Sequence, residues 1–226
     1  QPNDTLSDVR AGLVGAVNAK TETSATVTAS AGATGEELVL TATSSGANEF
    51  ILNSHTADDQ MNPATAVLPD GRLVTTWQSY DQDAGNDDYG IYAQLHTADG
   101  TLIGPEFQVN TYSADNQQDP AVTALKNGDF IVTWESYDQD AGNDDYGVYG
   151  QRFDPNGYPK GDEFQVHTHT TNTQHNSSVT ALDNGGFVVT WETDSQDGTY
   201  EDIHGQLYNA KGEAEGNEFV VNTNSA

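Results

Sequence analysis

The stretch Trp134-Glu-Ser-Tyr-Asp-Gln-Asp-Ala-Gly-Asn-Asp-Asp-Tyr-Gly147 occurs almost letter for letter 57 residues earlier, at 77–90, and a degraded copy begins 57 residues later at Trp191. The three tryptophans of the chain therefore mark three equivalent places. A fixed period of this length signals a repeated supersecondary unit that buries its apolar face against its neighbours. Copies run 49–105, 106–162 and 163–217, the last two residues shorter, and Glu218-Phe-Val-Val-Asn222 reads as the start of a further copy.

Each copy carries four strand signals. The first is Glu106-Phe-Gln-Val-Asn110 and its counterparts at 49–53 and 163–167, where apolar residues alternate with polar ones. The second is Pro120-Ala-Val-Thr-Ala-Leu125, followed by Lys-Asn-Gly-Asp, the composition of a tight hairpin turn. The third, Phe130-Ile-Val-Thr-Trp134, puts Phe130, Val132 and Trp134 on one face, and the fourth is Gly147-Val-Tyr-Gly-Gln-Arg-Phe153. Loops this short exclude crossovers, so the unit is an antiparallel meander with the content of one propeller blade. The expected fold is mainly β: three four-stranded antiparallel meander repeats, β-propeller-blade-like, preceded by a small helix-plus-hairpin segment. Three blades fall below the roughly four to eight of a closed ring. Further blades, copies from several chains, or a threefold closure such as a trefoil would each complete the arrangement.

Residues 1–48 stand outside the repeat as a partial α+β module. Thr5-Leu-Ser-Asp8 resembles a capping box, and Leu6, Val9, Leu13 and Val17 follow at helical spacing, which predicts a helix over 5–19. Ala25-Thr-Val-Thr-Ala29 and Glu37-Leu-Val-Leu-Thr-Ala-Thr43 read as a hairpin. Gly15-Ala-Val-Asn-Ala19, Val27-Thr-Ala-Ser30 and Leu38-Val-Leu-Thr-Ala42 together resemble a small α+β module of phage tail proteins and large bacterial surface proteins. In that module a further strand pair precedes the helix, so the resemblance implies a longer polypeptide or a partner subunit.

Chemistry concentrates in the loops after the tryptophans. Asp81-Gln-Asp83-Ala-Gly-Asn-Asp87-Asp88 and Asp138-Gln-Asp140-Ala-Gly-Asn-Asp144-Asp145 carry four carboxylates in eight residues, with a glycine for a sharp bend. Ca2+ takes about six to eight oxygens, and carboxylates this close repel without a cation. The flanking helices and terminal glutamate of an EF-hand are absent. In the third copy Asp194, Asp197, Glu201 and Asp202 remain, with serine where Asp81 and Asp138 stand. These twelve acids are the candidate Ca2+ ligands. His167, His169 and His175 form a histidine cluster without a well-spaced third ligand for zinc. No Ser/His/Asp constellation stands out, and carboxylate pairs are too plentiful to point to a catalytic pair, so no enzyme activity is expected.

The formal charge of −28 excludes nucleic acid and anionic membranes as natural partners, and no apolar run is long enough to insert in a bilayer. With no cysteine, neither disulfides nor a thiolate site is available. The strand motifs of residues 49–226 resemble a repeat of very large secreted proteobacterial proteins that also carry calcium-binding RTX tails and cadherin-like modules. That resemblance implies an extracellular or cell-surface location, calcium dependence, and adhesion or matrix assembly. The expected function is a non-catalytic, calcium-stabilised adhesion module that partners neighbouring repeats, other copies of itself, a glycan or a cell-surface protein. A self-assembling filament or layer subunit that adds strands at its ends and a calcium-dependent lectin-like module are the alternatives.

Overall fold

The computed structural model describes residues 26–31, 38–43, 51–83, 88–140, 145–194 and 201–222. The helix expected over 5–19 lies outside them. The chain divides into two compact units, Gln1–Ile51 and Leu52–Ala226. In the first, β1 (Thr26–Ala31) pairs antiparallel with β2 (Leu38–Thr43), from Thr26 opposite Thr43 to Ala31 opposite Leu38.

The second unit is three four-stranded antiparallel sheets of propeller-blade type. The first blade is β3 (Gln60–Val67), β4 (Leu73–Tyr80), β5 (Tyr89–His96) and β6 (Leu102–Gln108). The second is β7 (Gln117–Ala124), β8 (Phe130–Tyr137), β9 (Tyr146–Phe153) and β10 (Phe164–Gln165). The third is β11 (Gln174–Ala181), β12 (Phe187–Thr193), β13 (Asp202–Tyr208) and β14 (Ala214–Val220). Strands follow one another in space as in sequence, and the first strands β3, β7 and β11 lie side by side.

The strand signals are right and their grouping is shifted. Glu106-Phe-Gln opens no blade: it ends β6, the last strand of the first blade, where Phe107 sits opposite Ala93 and Gln108 opposite Tyr92. Likewise Glu218-Phe-Val starts no further copy but closes the third blade, with Phe219 opposite Gly205 and Val220 opposite His204. Residues 51–53 form no strand. Alternation fixes which residues face a core, but not which of two flanking sheets a strand joins.

The second strand of each blade is joined to the first by a turn that needs glycine. Gly71, Gly128 and Gly185 have φ of 88°, 91° and 89°, and each donates its N–H to Leu68, Leu125 or Leu182 at 2.9–3.0 Å. The middle strand of the middle blade, β8, buries both faces. Phe130, Val132 and Trp134 join Val74, Ile91 and Leu95 in a core between the first two blades. On the opposite face Ile131 joins Val148, Val179, Phe187 and Trp191 between the second and third. A blade with one apolar face against each neighbour explains how a chain with only 35% hydrophobic residues folds: the thin core is two interfaces between sheets.

Candidate functional site

The loops after β4 and β8 place their acids in two different ways. Asp81 and Asp138 have φ of 53° and tie the loop base, their N–H groups donating to the carbonyls of Asp88 and Asp145 at 3.0 Å. Asp83 and Asp140 turn inward and are each 8% exposed. Asp83 accepts the Tyr92 hydroxyl on Oδ1 and Nε2 of Gln108 on Oδ2 at 2.8 Å. Asp140 Oδ1 accepts the Tyr149 hydroxyl and Nε2 of Gln165 at 2.9 Å, while Nε2 of His167 lies 3.5 Å from Oδ2. Burial, then the facing aspartate, pushes both tyrosine hydroxyls far above their ordinary range, and burial holds His167 neutral. Asp87, Asp144 and Asp197 lie outside the described residues. Asp194 and Asp202 are half-buried, the latter accepting Nδ2 of Asn222 at 2.9 Å, and Glu201 is exposed.

A second group of polar side chains, absent from the expected sites, gathers where the first strands pass the tryptophan ends of the second strands. Each first strand bulges there: pairing slips between Met61 and Ala64, Gln118 and Ala121, and His175 and Ser178. A residue in each slip is left-handed, Asn62 at φ 53°, Asp119 at 51° and Asn176 at 53°, a conformation that Asn and Asp tolerate.

The residue after each tryptophan reaches these bulges. Gln78 Oε1 accepts Nδ2 of Asn62 and the backbone N–H of Asp119, in the next blade, each at 3.0 Å. Glu135 Oε1 accepts the backbone N–H of Asn176, again in the next blade, at 2.7 Å, and Oε2 accepts Nε2 of Gln118 at 3.3 Å. Glu192 Oε2 accepts Nδ2 of Asn176 at 3.1 Å. Asn62 Nδ2 also donates to Asp119 Oδ1 at 2.5 Å.

Gln78 shows that a neutral acceptor is all this blade-to-blade link requires, so the ionisable group at Glu135 is additional chemistry. Glu135 is 3% exposed, and burial drives its carboxyl above the usual carboxylate range; the Asn176 N–H opposes the rise and the charge of Asp119 adds to it. A buried carboxyl whose proton is held more tightly than usual, beside a second carboxylate that is half-buried, is an arrangement suited to proton donation. The sequence signal was present in Trp-Glu-Ser-Tyr, but only the bulge on the neighbouring blade turns that glutamate into a desolvated group.

A cleft of about 450 Å3 opens on the outer side of the third blade, lined by His204, Gln206, Glu218 and Val220 among others. There Glu218 accepts Nδ1 of His204 at 2.7 Å and both the N–H and hydroxyl of Thr168, which outweigh burial and hold its carboxyl below its ordinary value.

A scan of protein-family models and a search of curated proteins match nothing. Solved structures do match the fold. A protein of unknown function from Dyadobacter fermentans aligns at 12% identity and TM-score 0.51, over 69% of this chain and 53% of that one. A thermostable family-43 glycoside hydrolase aligns at 11% identity and TM-score 0.51, over 74% and 55%. An endo-arabinase from Bacteroides thetaiotaomicron aligns at 16% identity and TM-score 0.46, over 68% and 59%. The chain thus spans about half the length of the first two. None of these bears on the resemblance to secreted proteobacterial repeats or on the N-terminal segment.

The likeness corrects the expectation of a non-catalytic, calcium-stabilised adhesion module without enzyme activity, together with its self-assembling and lectin-like variants. The repeats build a scaffold that a solved glycoside hydrolase also uses. The terminal strand on which self-assembly rested is β14, which pairs with β13 as the last strand of the third blade. Carboxylate pairs, uninformative when counted in the sequence, become distinguishable once burial separates Glu135 from the solvated acids. Among the described residues no helix is long and apolar enough to cross a membrane.

Proposed function

We propose that the chain contributes to cleavage of a glycosidic bond, with Glu135 as proton donor and Asp119 as its charged partner. The observation that carries this reading is the burial of the Glu135 carboxyl, which raises it above its ordinary value, beside the bulge where Asp119 stands. Hydrolysis of a glycoside requires an acid to protonate the leaving oxygen and a carboxylate to meet the cationic sugar or activate water. Burial supplies the first, since the uncharged form of Glu135 is the one favoured away from water. The half-buried Asp119, linked to Asn62 and Gln78, is a fixed carboxylate for the second. The fold shared with a family-43 glycoside hydrolase supports the assignment. The resemblance of the repeat to secreted proteins supports placing it outside the cell, where polymeric glycans are the available substrates.

Reducing-sugar release from a panel of plant and microbial polysaccharides, together with chromogenic glycosides, tests the proposal. Glu135→Gln keeps the acceptor that Gln78 uses at the equivalent place, so it folds, and it is expected to lower turnover by about a hundredfold or more. The alkaline limb of the wild-type pH profile should follow loss of the Glu135 proton. No release by the wild-type chain, or equal release by Glu135→Gln, would overturn it.

A further inference from the structure

Two positions change together in the third blade, beside a third that differs in every blade: Met61, Gln118 and His175. In the first blade Tyr80 and Tyr89 stand opposite each other at the mouth of the acidic loop, their rings 5.1 Å apart and edge to face. In the second, Tyr137 and Tyr146 repeat this at 5.0 Å, and the Tyr146 hydroxyl reaches Oε1 of Gln118 on the neighbouring first strand at 3.5 Å. The pairing register carries these places onto the third blade. Trp191 sits opposite His204 as Trp134 sits opposite Tyr149, so Asp194 stands where Tyr137 does and Glu201 where Tyr146 does. His175, opposite Glu192, takes the place of Gln118, which is opposite Glu135.

Where the other blades have an aromatic pair beside Met61 or Gln118, the third has two carboxylates beside an imidazole. One ligand atom from each of His175, Asp194 and Glu201 lies within 4.8 Å of the others. Asp194 and Glu201 stand just beyond the last pair of β12 and β13, Thr193 opposite Asp202, and two carboxylates this close repel unless a cation lies between them. His175 is oriented as a metal-ligating histidine is: its Nε2 lies 3.3 Å from Glu192 Oε2, while Nδ1 is buried and has no hydrogen-bond partner. The backbone holds the set in place, with His175 in β11, the Asp194 N–H donating to the Thr173 carbonyl at 2.9 Å, and Glu201 just before β13.

From this cluster and the unpartnered ring nitrogen we infer that the third blade carries a transition-metal site, with Zn2+ as its ion, bound by Nδ1 of His175 and one carboxylate oxygen each from Asp194 and Glu201. Glu192 stands beside the other ring nitrogen, its Oε2 3.3 Å from Nε2. One nitrogen and two oxygens leave a fourth position open to water or substrate, the composition of a zinc site and not of Ca2+, which takes about six to eight oxygens. The site adjoins Glu135 through Asn176, next to His175, but it is read by binding alone, so its failure and that of the Glu135 proposal are distinguishable.

Calorimetric titration of the whole chain with Zn2+, and separately with Ca2+, tests it. One Zn2+ per chain is expected at micromolar affinity or tighter. His175→Ala and Asp194→Asn should each weaken it tenfold or more, and Glu192→Gln by about tenfold through the other ring nitrogen. The double variant Asp194→Tyr with Glu201→Tyr rebuilds the aromatic pair of the other blades. It should fold as well as the wild type without metal and lose the Zn2+ site. No Zn2+ binding, Zn2+ binding unchanged by His175→Ala, or Ca2+ binding at this set with greater affinity than Zn2+ would each overturn the inference.

Discussion

Gly186 has no room for a side chain: a Cβ there would meet the backbone carbonyl oxygen of Tyr208 at 2.2 Å. Backbone cannot retreat as a side chain can, so Gly186→Ala should cost about 1–3 kcal/mol in urea-unfolding free energy. The ionisable residues make opposite claims on stability. Glu135 binds its proton more tightly folded than unfolded, so its contribution is full at low pH and lost as pH rises above its ordinary 4.5 through its raised folded value. Glu218 is held below its ordinary 4.5, so its contribution is present at neutral pH and lost as pH falls through its lowered folded value. Melting temperatures from pH 3 to 8, within roughly the range where carboxylates titrate, should show Glu135→Gln gaining on the wild type toward neutrality; a constant offset would contradict the assignment. Neither behaviour was legible in the sequence, where the two residues read as an acid after a tryptophan and an acid before a phenylalanine. Desolvation comes from the neighbouring blade, and a letter does not carry it.

At the scale of elements, the second strand of the middle blade is tied to the third by charge as well as by its ladder. Asp129, 3% exposed at the start of β8, accepts Nε of Arg152 at 3.0 Å, Nη2 at 2.5 Å and Nζ of Lys160 at 2.9 Å. Burial alone would raise its carboxyl, but Lys160 and Arg152 outweigh it and hold it low. Asp129→Ala leaves the buried Arg152 without its partner and should destabilise by about 3–5 kcal/mol, seen as a lower denaturation midpoint. The hairpin turns were readable because Asn-Gly and Asp-Gly state a backbone conformation directly. The Glu-Phe-x-Val strands were readable as strands and assigned to the wrong sheet, because nothing local distinguishes the last strand of one blade from the first of the next. Asp194 and Glu201 were recoverable by asking which positions change together between copies; spacing along a single copy hides the set, since His175 lies in β11 and the two acids flank the loop from β12 to β13.

Over the whole second unit, burial is graded. Ile131 and Val148 in the middle blade are fully buried against the third, while Val188 and Ile203, at the same places in the third blade, are only half-buried. On the first blade the face turned from the second carries Thr75 and His96, joined at 2.9 Å, where the third blade has Val189 and Tyr208. Amide exchange should therefore be slowest in β8 and β9 and faster in β12 and β13, with each terminal blade opening before the middle one; uniform protection across the blades would contradict this. Repeat arrays behave this way because each unit is stabilised mainly by its immediate neighbours. The period alone made this much of the fold predictable.

A glutamate in or just before each last strand adds a direction. Glu106 reaches back to the N–H of Ser54, Glu163 to that of Thr111 and Glu218 to that of Thr168, across 52, 52 and 50 residues. Each grips the linker that leads into its own blade. During synthesis that linker emerges first and its glutamate last, so a blade is latched only once its final strand has left the ribosome. Maturation then proceeds as a ratchet from the amino-terminal end, one click for each repeat translated.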